Sequence, residues 1–274
     1  MIIDSHQHFW NFDPQRDTWI DDTMKVLRRD FVPEDLEPIL KNNNVEGCVA
    51  VQADQSENET IFLLDCAAKY PFVKGVVGWV DLCAPHVLKR LSHFSKNPYF
   101  KGVRHIVQAE KEHFLLGEDF QRGIRILSDF DLTYDLLITP NQLRAANAFV
   151  RKFPHQKFIL DHLAKPEIAK PISEVWVKEI ESLAAHPNTY CKLSGMVTET
   201  QNFQFEEEDF TPFMEVILSS FGPDRVLFGS DWPVCLLATE YERVLKIVTD
   251  FIEKNVPGEK NKIMGTNAIR VYNL

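Results

Sequence analysis

His6-Gln7-His8 follows an apolar start, Met1-Ile2-Ile3. In a strand, alternate side chains share a face, so His6 and His8 point the same way with Asp4 one step behind them. Two imidazoles at the C-terminal end of a strand suit a divalent metal such as zinc. Two hydrogen-bonded histidines near a terminus are the competing reading, and the rest of the chain decides between them. Polar residues close one apolar run after another: Gln52/Asp54, Trp79/Asp81, Arg104/His105, Tyr134/Asp135, Asp161/His162, Lys192/Ser194 and Ser230/Asp231. A strand buried on both faces ends in apolar residues or a neutral turn. With His6/His8, polar groups therefore mark all eight ends and converge on one mouth.

The runs that carry these ends read as strands at Ile2–His6, Gly47–Ala53, Val73–Val80, Gly102–Ile106, Leu132–Ile138, Lys157–His162, Thr189–Leu193 and Arg225–Gly229. Amphipathic stretches lie between them. Phe210, Phe213, Met214, Ile217, Leu218 and Phe221 fall on one helical stripe, as do Tyr241, Val244, Leu245, Val248, Phe251 and Ile252. Ser56-Glu-Asn-Glu59 and Thr139-Pro-Asn-Gln142 carry capping-box spacing. Eight alternating strands and helices in 274 residues predict an α/β fold, a single (β/α)₈ TIM barrel spanning residues 1–274. An open doubly wound sheet would carry a Gly-rich turn after its first strand, where this chain has His-Gln-His-Phe-Trp. Helix-to-strand links are short and rich in Pro and Gly, whereas Phe9–Val32, Val107–Gly117 and Ser194–Glu208 are long strand-to-helix links. In a barrel, long loops on that side mark the active face.

Each candidate has a structural alternative. His162, after Phe158-Ile-Leu-Asp161, is either a ligand or a core histidine. Asp231, in Gly229-Ser-Asp-Trp-Pro233, can bind a metal and take a proton from water, or can cap a helix. Arg104 and His105 are adjacent, so one faces the mouth. Asp135 orients a histidine or a sugar hydroxyl, or pairs with Lys192 or Arg104. Lys192, in mid-strand, requires a carboxylate partner or a shifted pKa. Trp10, Trp19, Trp79 and Trp232 suit the apolar face of a ligand or the core.

The net charge of −10, from 30 basic and 40 acidic residues, argues against a nucleic-acid surface. Five cysteines without a Cys-x-x-Cys read as thiols of a reducing compartment. Without a signal-like segment or a run near the ~18 apolar residues of a membrane span, the expected location is the cytoplasm, with no membrane partner. The oligomeric state is left open.

Read as an ordered set, Ile3-Asp-Ser-His-Gln-His-Phe-Trp10, Val76-Val-Gly-Trp-Val-Asp-Leu82, Lys101-Gly-Val-Arg-His105, Asp161-His-Leu-Ala-Lys-Pro166, Lys192-Leu-Ser-Gly195, Phe228-Gly-Ser-Asp-Trp-Pro233 and Asn267-Ala resemble the amidohydrolase superfamily. Within it, the chain resembles the group that contains sugar-acid lactonases. The resemblance implies a hydrolase that opens a sugar-acid lactone, with His6, His8, His162 and Asp231 as the metal or catalytic cluster. It implies His105 as an acid or oxyanion stabiliser. Trp10, Trp79, Arg104, Asp135 and Trp232 are the expected substrate contacts. The chain departs from the superfamily's two-metal pattern: no Lys or Glu ends strand four, and strand five offers Tyr134-Asp135 instead of His. One divalent ion, zinc foremost, or none is implied, since lactonase members differ in this. A metal-dependent decarboxylase and, further off, a non-catalytic binding barrel are the alternatives.

Overall fold

The computed structural model describes residues 1–274. Its eight strands are β1 (Ile3–Gln7), β2 (Gly47–Val51), β3 (Val73–Gly78), β4 (Phe100–His105), β5 (Thr133–Leu136), β6 (Phe158–Leu160), β7 (Thr189–Leu193) and β8 (Val226–Phe228). They pair in parallel and in sequence order. The β1–β8 seam closes through a parallel bridge between Gln7 and Trp232. The helices that follow are α1 (Pro33–Asn42), α2 (Glu57–Lys69), α3 (Val87–Phe94), α4 (Glu118–Leu127), α5 (Leu143–Val150), α6 (Glu174–Ala184), α7 (Thr211–Phe221) and α8 (Tyr241–Asn255), with a short α9 (Asn267–Tyr272) last. This is the (β/α)₈ barrel expected from the alternation.

Two apolar layers hold it. The larger lies between strands and helices and includes the predicted stripes of α7 and α8. The smaller fills the barrel's lower interior with Ile3, Val49, Val51, Val77, Ile159 and Leu227, capped by Ala268, Val271 and Tyr272 of α9. The C-terminal helix thus plugs the end of the barrel opposite the mouth. No helix is long and apolar enough to cross a membrane. All five cysteines are free.

Local signals hold with one difference. Thr139 and Gln142 form the expected capping box. Ser56 caps α2 by accepting from Glu59 N, but the Glu59 carboxylate accepts from the N–H groups of Ala53 (3.1 Å) and Asp54 (2.5 Å). Two free N–H groups in the turn after β2 compete for that carboxylate and win. Glu59 therefore ties the turn at the mouth instead of completing the box.

Candidate active site

The barrel's closing seam builds the site. Asp231 N–H donates to His6 O (2.8 Å) and His8 N–H donates to Trp232 O (2.7 Å), so the ends of β1 and β8 cannot separate without breaking the cluster. His6 Nε2 lies 3.2 Å from His8 Nε2, and Asp231 Oδ1 lies 3.2 Å from His8 Nε2 and 3.7 Å from His6 Nε2. His162 Nε2 approaches the same oxygen at 3.9 Å. The structure brings the four expected residues together, all of them buried.

The backbone is bent to achieve this. Asp231 has φ of 59° and His162 has φ of 53°, the first of four consecutive left-handed residues through Lys165. Left-handed backbone at non-glycine residues costs on the order of 1–3 kcal/mol each and gathers at functional sites. Two glycines give the rings room. A Cβ on Gly229 would stand 2.7 Å from His6 Cβ, and one on Gly195, itself at φ of 63°, would stand 2.4 Å from His162 Nδ1. Gly195→Ala must therefore push the His162 ring aside. We expect kcat to fall by on the order of 10²-fold, the scale of an ångström-sized misplacement, with little change in secondary structure. Steady-state kinetics beside circular dichroism checks this, and wild-type kcat would show that the His162 position is immaterial.

Hydrogen bonds outside the cluster set the rings. His8 Nδ1 lies 2.7 Å from Val51 O and can only donate to it, leaving Nε2 as a lone pair facing the cluster. His162 Nδ1 meets Ser194 Oγ at 2.9 Å. Burial lowers the His162 pKa to about 4 and puts that of His6 well below the usual range, so both rings are neutral. Burial pushes the Asp231 carboxyl up, but His162, His8 and His6 together outweigh it and hold the group well below the usual carboxylate range. Asp231 is therefore ionised. Its carboxylate turns to the histidines, and the 3₁₀ turn Val234–Leu237 that follows has Pro233 at its N-cap. Helix capping does not explain Asp231.

These donors fit one metal ion. Tetrahedral zinc with bonds of ~2.0–2.1 Å sets its ligands about 3.3 Å apart. The pairs among His6 Nε2, His8 Nε2 and Asp231 Oδ1, at 3.2, 3.2 and 3.7 Å, match that edge and leave a position open. A second donor group, His6, Asp161 and His162, exists alongside. It already faces a cation: Arg104 Nη1 is 3.0 Å from Asp161 Oδ2 and 3.3 Å from His6 Nε2.

Arg104 thus points into the barrel, and the structure does not bring His105 to the cluster. His105 lies on the other face of β4, stacked on Phe114, with Nε2 2.9 Å from Glu110 and Nδ1 receiving the Trp79 indole N–H at 3.4 Å. Adjacent strand residues face opposite ways, and Arg104 takes the inner face because Asp161 and the Gln52 carbonyl await it there. Asp135 is not at the mouth either. It is fully buried, bound to Lys192 Nζ (2.6 Å) and Tyr272 Oη (2.7 Å), the structural pairing with Lys192. Trp232 packs edge-on to Phe9 and Phe31, and Trp10 donates to Arg29 O and packs on Phe31 and Trp19. Both rings are buried. Trp79 is half-buried.

Three participants lie outside the expected set. Asp161, next to His162, lies 3.3 Å from His6 Nδ1 and 2.9 Å from Lys192 Nζ. Burial would raise its carboxyl, but Lys192, His6 and Arg104 hold it well below the usual range. Its place at a polar strand end was the available signal. Ser194, which orients His162, also stood at a polar strand end, whereas the Val51 carbonyl, which orients His8, carried no signal. Two cavities of about 370 and 410 Å³ lie on the outer rim loops, beside Pro166 and Trp176 and beside Glu110 and Phe114, and no cluster residue lines either.

A model of the Amidohydrolase family matches residues 3–274. L-fucono-1,5-lactonase from Burkholderia ambifaria is 35% identical over 277 residues, covering 99% of this chain and 95% of that protein. A crystal structure of an amidohydrolase from Burkholderia multivorans with bound zinc superposes with a TM-score of 0.96 at 36% identity, covering 100% of this chain and 99% of that one. A dihydroxybenzoic acid decarboxylase from Polaromonas, with bound manganese, has a TM-score of 0.69 at 16% identity over 100% and 97% of the two chains, a likeness of fold alone. The chain belongs to the amidohydrolase family.

Proposed function

We propose that the protein hydrolyses the cyclic ester of a sugar acid, a five- or six-membered lactone of an ordinary or deoxy hexonic acid such as L-fucono-1,5-lactone. The observation that carries the reading is the ionised Asp231 carboxylate set among three buried imidazoles at the barrel mouth, in a chain similar along its length to L-fucono-1,5-lactonases. Asp231 accepts a proton from water as the water oxygen bonds to the lactone carbonyl carbon. The C–O bond of the ring then breaks, and the proton returns to the departing ring oxygen. The product is an open hydroxy acid, which releases a proton on ionising. The seam bond from Asp231 N–H to His6 O holds Asp231 in position, and buried Arg104 supplies fixed positive charge below the reacting carbonyl.

His6, His8 and Asp231 would hold one zinc ion. When bound, it supplies the positive charge that acidifies water and stabilises the developing oxyanion. Decarboxylation has only a likeness of fold behind it. A non-catalytic barrel has no need of left-handed backbone at both His162 and Asp231. The substrate is a small molecule, and the five free cysteines support a reducing compartment such as the cytoplasm.

The test is acid release from a panel of aldonolactones beside unsubstituted γ-butyrolactone, with and without chelator. We expect one or a few sugar lactones to lead and γ-butyrolactone to lag by at least ~10-fold, since hydroxyl groups left unmatched forfeit binding. A chelator should lower the rate, and zinc should restore it. Equal turnover of γ-butyrolactone and every sugar lactone would remove the sugar from the proposal.

A further inference from the structure

Two polar residues marked in the sequence, Asp4 and Ser230, stand outside the cluster of His6, His8, His162 and Asp231, and both are fully buried. The register of the β1–β2 ladder shifts between Asp4 and Gln7, and the Asp4 carboxylate bonds across the closing seam instead of to the imidazoles. Its Oδ1 accepts from Ser230 N–H (2.9 Å) and from His6 N–H (3.1 Å), and its Oδ2 accepts from Ser230 Oγ (2.6 Å). Ser230 Oγ in turn accepts from Trp232 N–H (3.0 Å). Three successive N–H groups, of Ser230, Asp231 and Trp232, therefore each meet an acceptor: Asp4 Oδ1, His6 O and Ser230 Oγ. Only the middle acceptor is backbone.

We propose that Asp4 is a positioning residue: with Ser230 it clasps the left-handed turn that aims the Asp231 carboxylate into the cluster. Asp231 stands at φ of 59°, and β8 ends before it at Phe228, so no regular ladder holds that bend. The backbone bonds of the seam, Asp231 N–H to His6 O and His8 N–H to Trp232 O, close β1 on β8 but serve neither Ser230 N–H nor Trp232 N–H. A buried N–H without an acceptor is costly, and a strained backbone persists only where its surroundings over-determine it. The bond from Trp232 N–H to Ser230 Oγ spans Asp231, so a change of φ at Asp231 breaks it. Asp4 fixes that acceptor by holding Ser230 at both its N–H and its hydroxyl. The oxygen that takes Ser230 N–H also takes His6 N–H, which sets the turn against the strand that carries the histidines. Without the carboxylate, Ser230 N–H is stranded, its hydroxyl turns freely, and the bend relaxes, taking Asp231 Oδ1 off its 3.2 Å contact with His8.

Only the kinetic arm of the test rests on the lactonase reading; amide hydrogen exchange reads the clasp even in a protein that opens no lactone. Ser5→Ala is the control, because Ser5 Oγ donates to Phe228 O (2.5 Å) across the same seam and meets none of the three N–H groups. Zinc-supplied wild type, Asp4→Ala, Asp4→Asn, Ser230→Ala and Ser5→Ala are compared by exchange, Tm and kinetics on the best aldonolactone. In Asp4→Ala we expect exchange at Ser230 and Trp232 to quicken by at least ~10-fold more than at the amides of β3–β5. Its kcat should fall by ~10²-fold, the scale of an ångström of misplacement, with KM within about three-fold. Ser230→Ala should quicken Trp232 alone and lower kcat by about ten-fold, a smaller misplacement. Asp4→Asn can set its oxygen where Oδ1 stands and donate its amide N–H to Ser230 Oγ, so it should keep both N–H bonds and recover most of the lost kcat. Ser5→Ala should lower Tm and leave kcat and these two amides as in wild type. Unchanged exchange at Ser230 and Trp232 in Asp4→Ala overturns the proposal whatever the activity. So does quickened exchange with wild-type kcat, a kcat loss matched by Ser5→Ala, or no recovery in Asp4→Asn. If Asp4→Ala does not fold, Ser230→Ala against Ser5→Ala decides by the same two readouts.

Discussion

Asp231→Asn is expected to lower kcat by ~10²–10⁴, the range for a lost general base, with a smaller change in KM. Asparagine keeps the size and can offer its amide N–H to the His8 Nε2 lone pair, but it takes no proton from water. The residue's environment sharpens the expectation. The neighbours that keep Asp231 ionised also weaken it as a base, and its usefulness lies in placement and in never being protonated at working pH. The carboxyl is held below the usual range and His162 titrates at about 4, so wild-type kcat should stay level from pH 8 to about 5 and fall only below that. A kcat limb near 6.5, the ordinary histidine value, would contradict this description of the site. Asparagine also removes a buried charge without removing the seam bond from Asp231 N to His6 O, so the variant should remain folded. A folded Asp231→Asn variant with near-normal turnover ends the mechanism.

Lys192→Met is expected to have the largest effect on stability. The ammonium is fully buried and bridges Asp135 and Asp161 at 2.6 and 2.9 Å. Methionine fills its volume but leaves Asp135 without its cation and Asp161 with Arg104 alone. Breaking one side of a buried pair costs ~3–5 kcal/mol, a large part of the ~5–15 kcal/mol that holds a folded protein. For a chain of this length, that is a loss of roughly 10 °C in Tm. The pH dependence has a definite sign. In wild type the Asp161 carboxyl is depressed, so its contribution is present above the unfolded value and is lost as pH falls. In the variant the unpaired carboxyls are raised, so the variant is penalised most at high pH and recovers as they protonate. The Tm gap between the two should therefore narrow from pH 8 to pH 5, and calorimetry at both values reads it. A constant gap would mean that lost packing, not stranded charge, sets the cost.

Most of the fold was legible because buried parallel strands are apolar runs with polar ends. The limits were less so. Lys157–His162 overshot β6, Phe158–Leu160, because the chain turns left-handed at His162 and periodicity carries no signal for the sign of φ. The choice between Arg104 and His105 depends on register: Arg104 lies beside Asp135 across the β4–β5 ladder, which no spacing along one strand reveals. Trp10 and Trp232 were ambiguous because an indole suits a core as well as a ligand, and here Phe9 and Phe31 cover them. The requirement that Lys192 have a carboxylate partner was readable from burial alone, and the structure supplies two. Tyr272 was beyond reach, since its partner on β5 is 137 residues away.

The account stands or falls on turnover by the wild-type protein. Proton release from L-fucono-1,5-lactone, followed with a pH indicator near neutrality and corrected for spontaneous opening, is the direct measurement. The predicted result is saturable release far above background that collapses in Asp231→Asn. Wild-type release no faster than the spontaneous rate, with zinc supplied and across the aldonolactone panel, would contradict it.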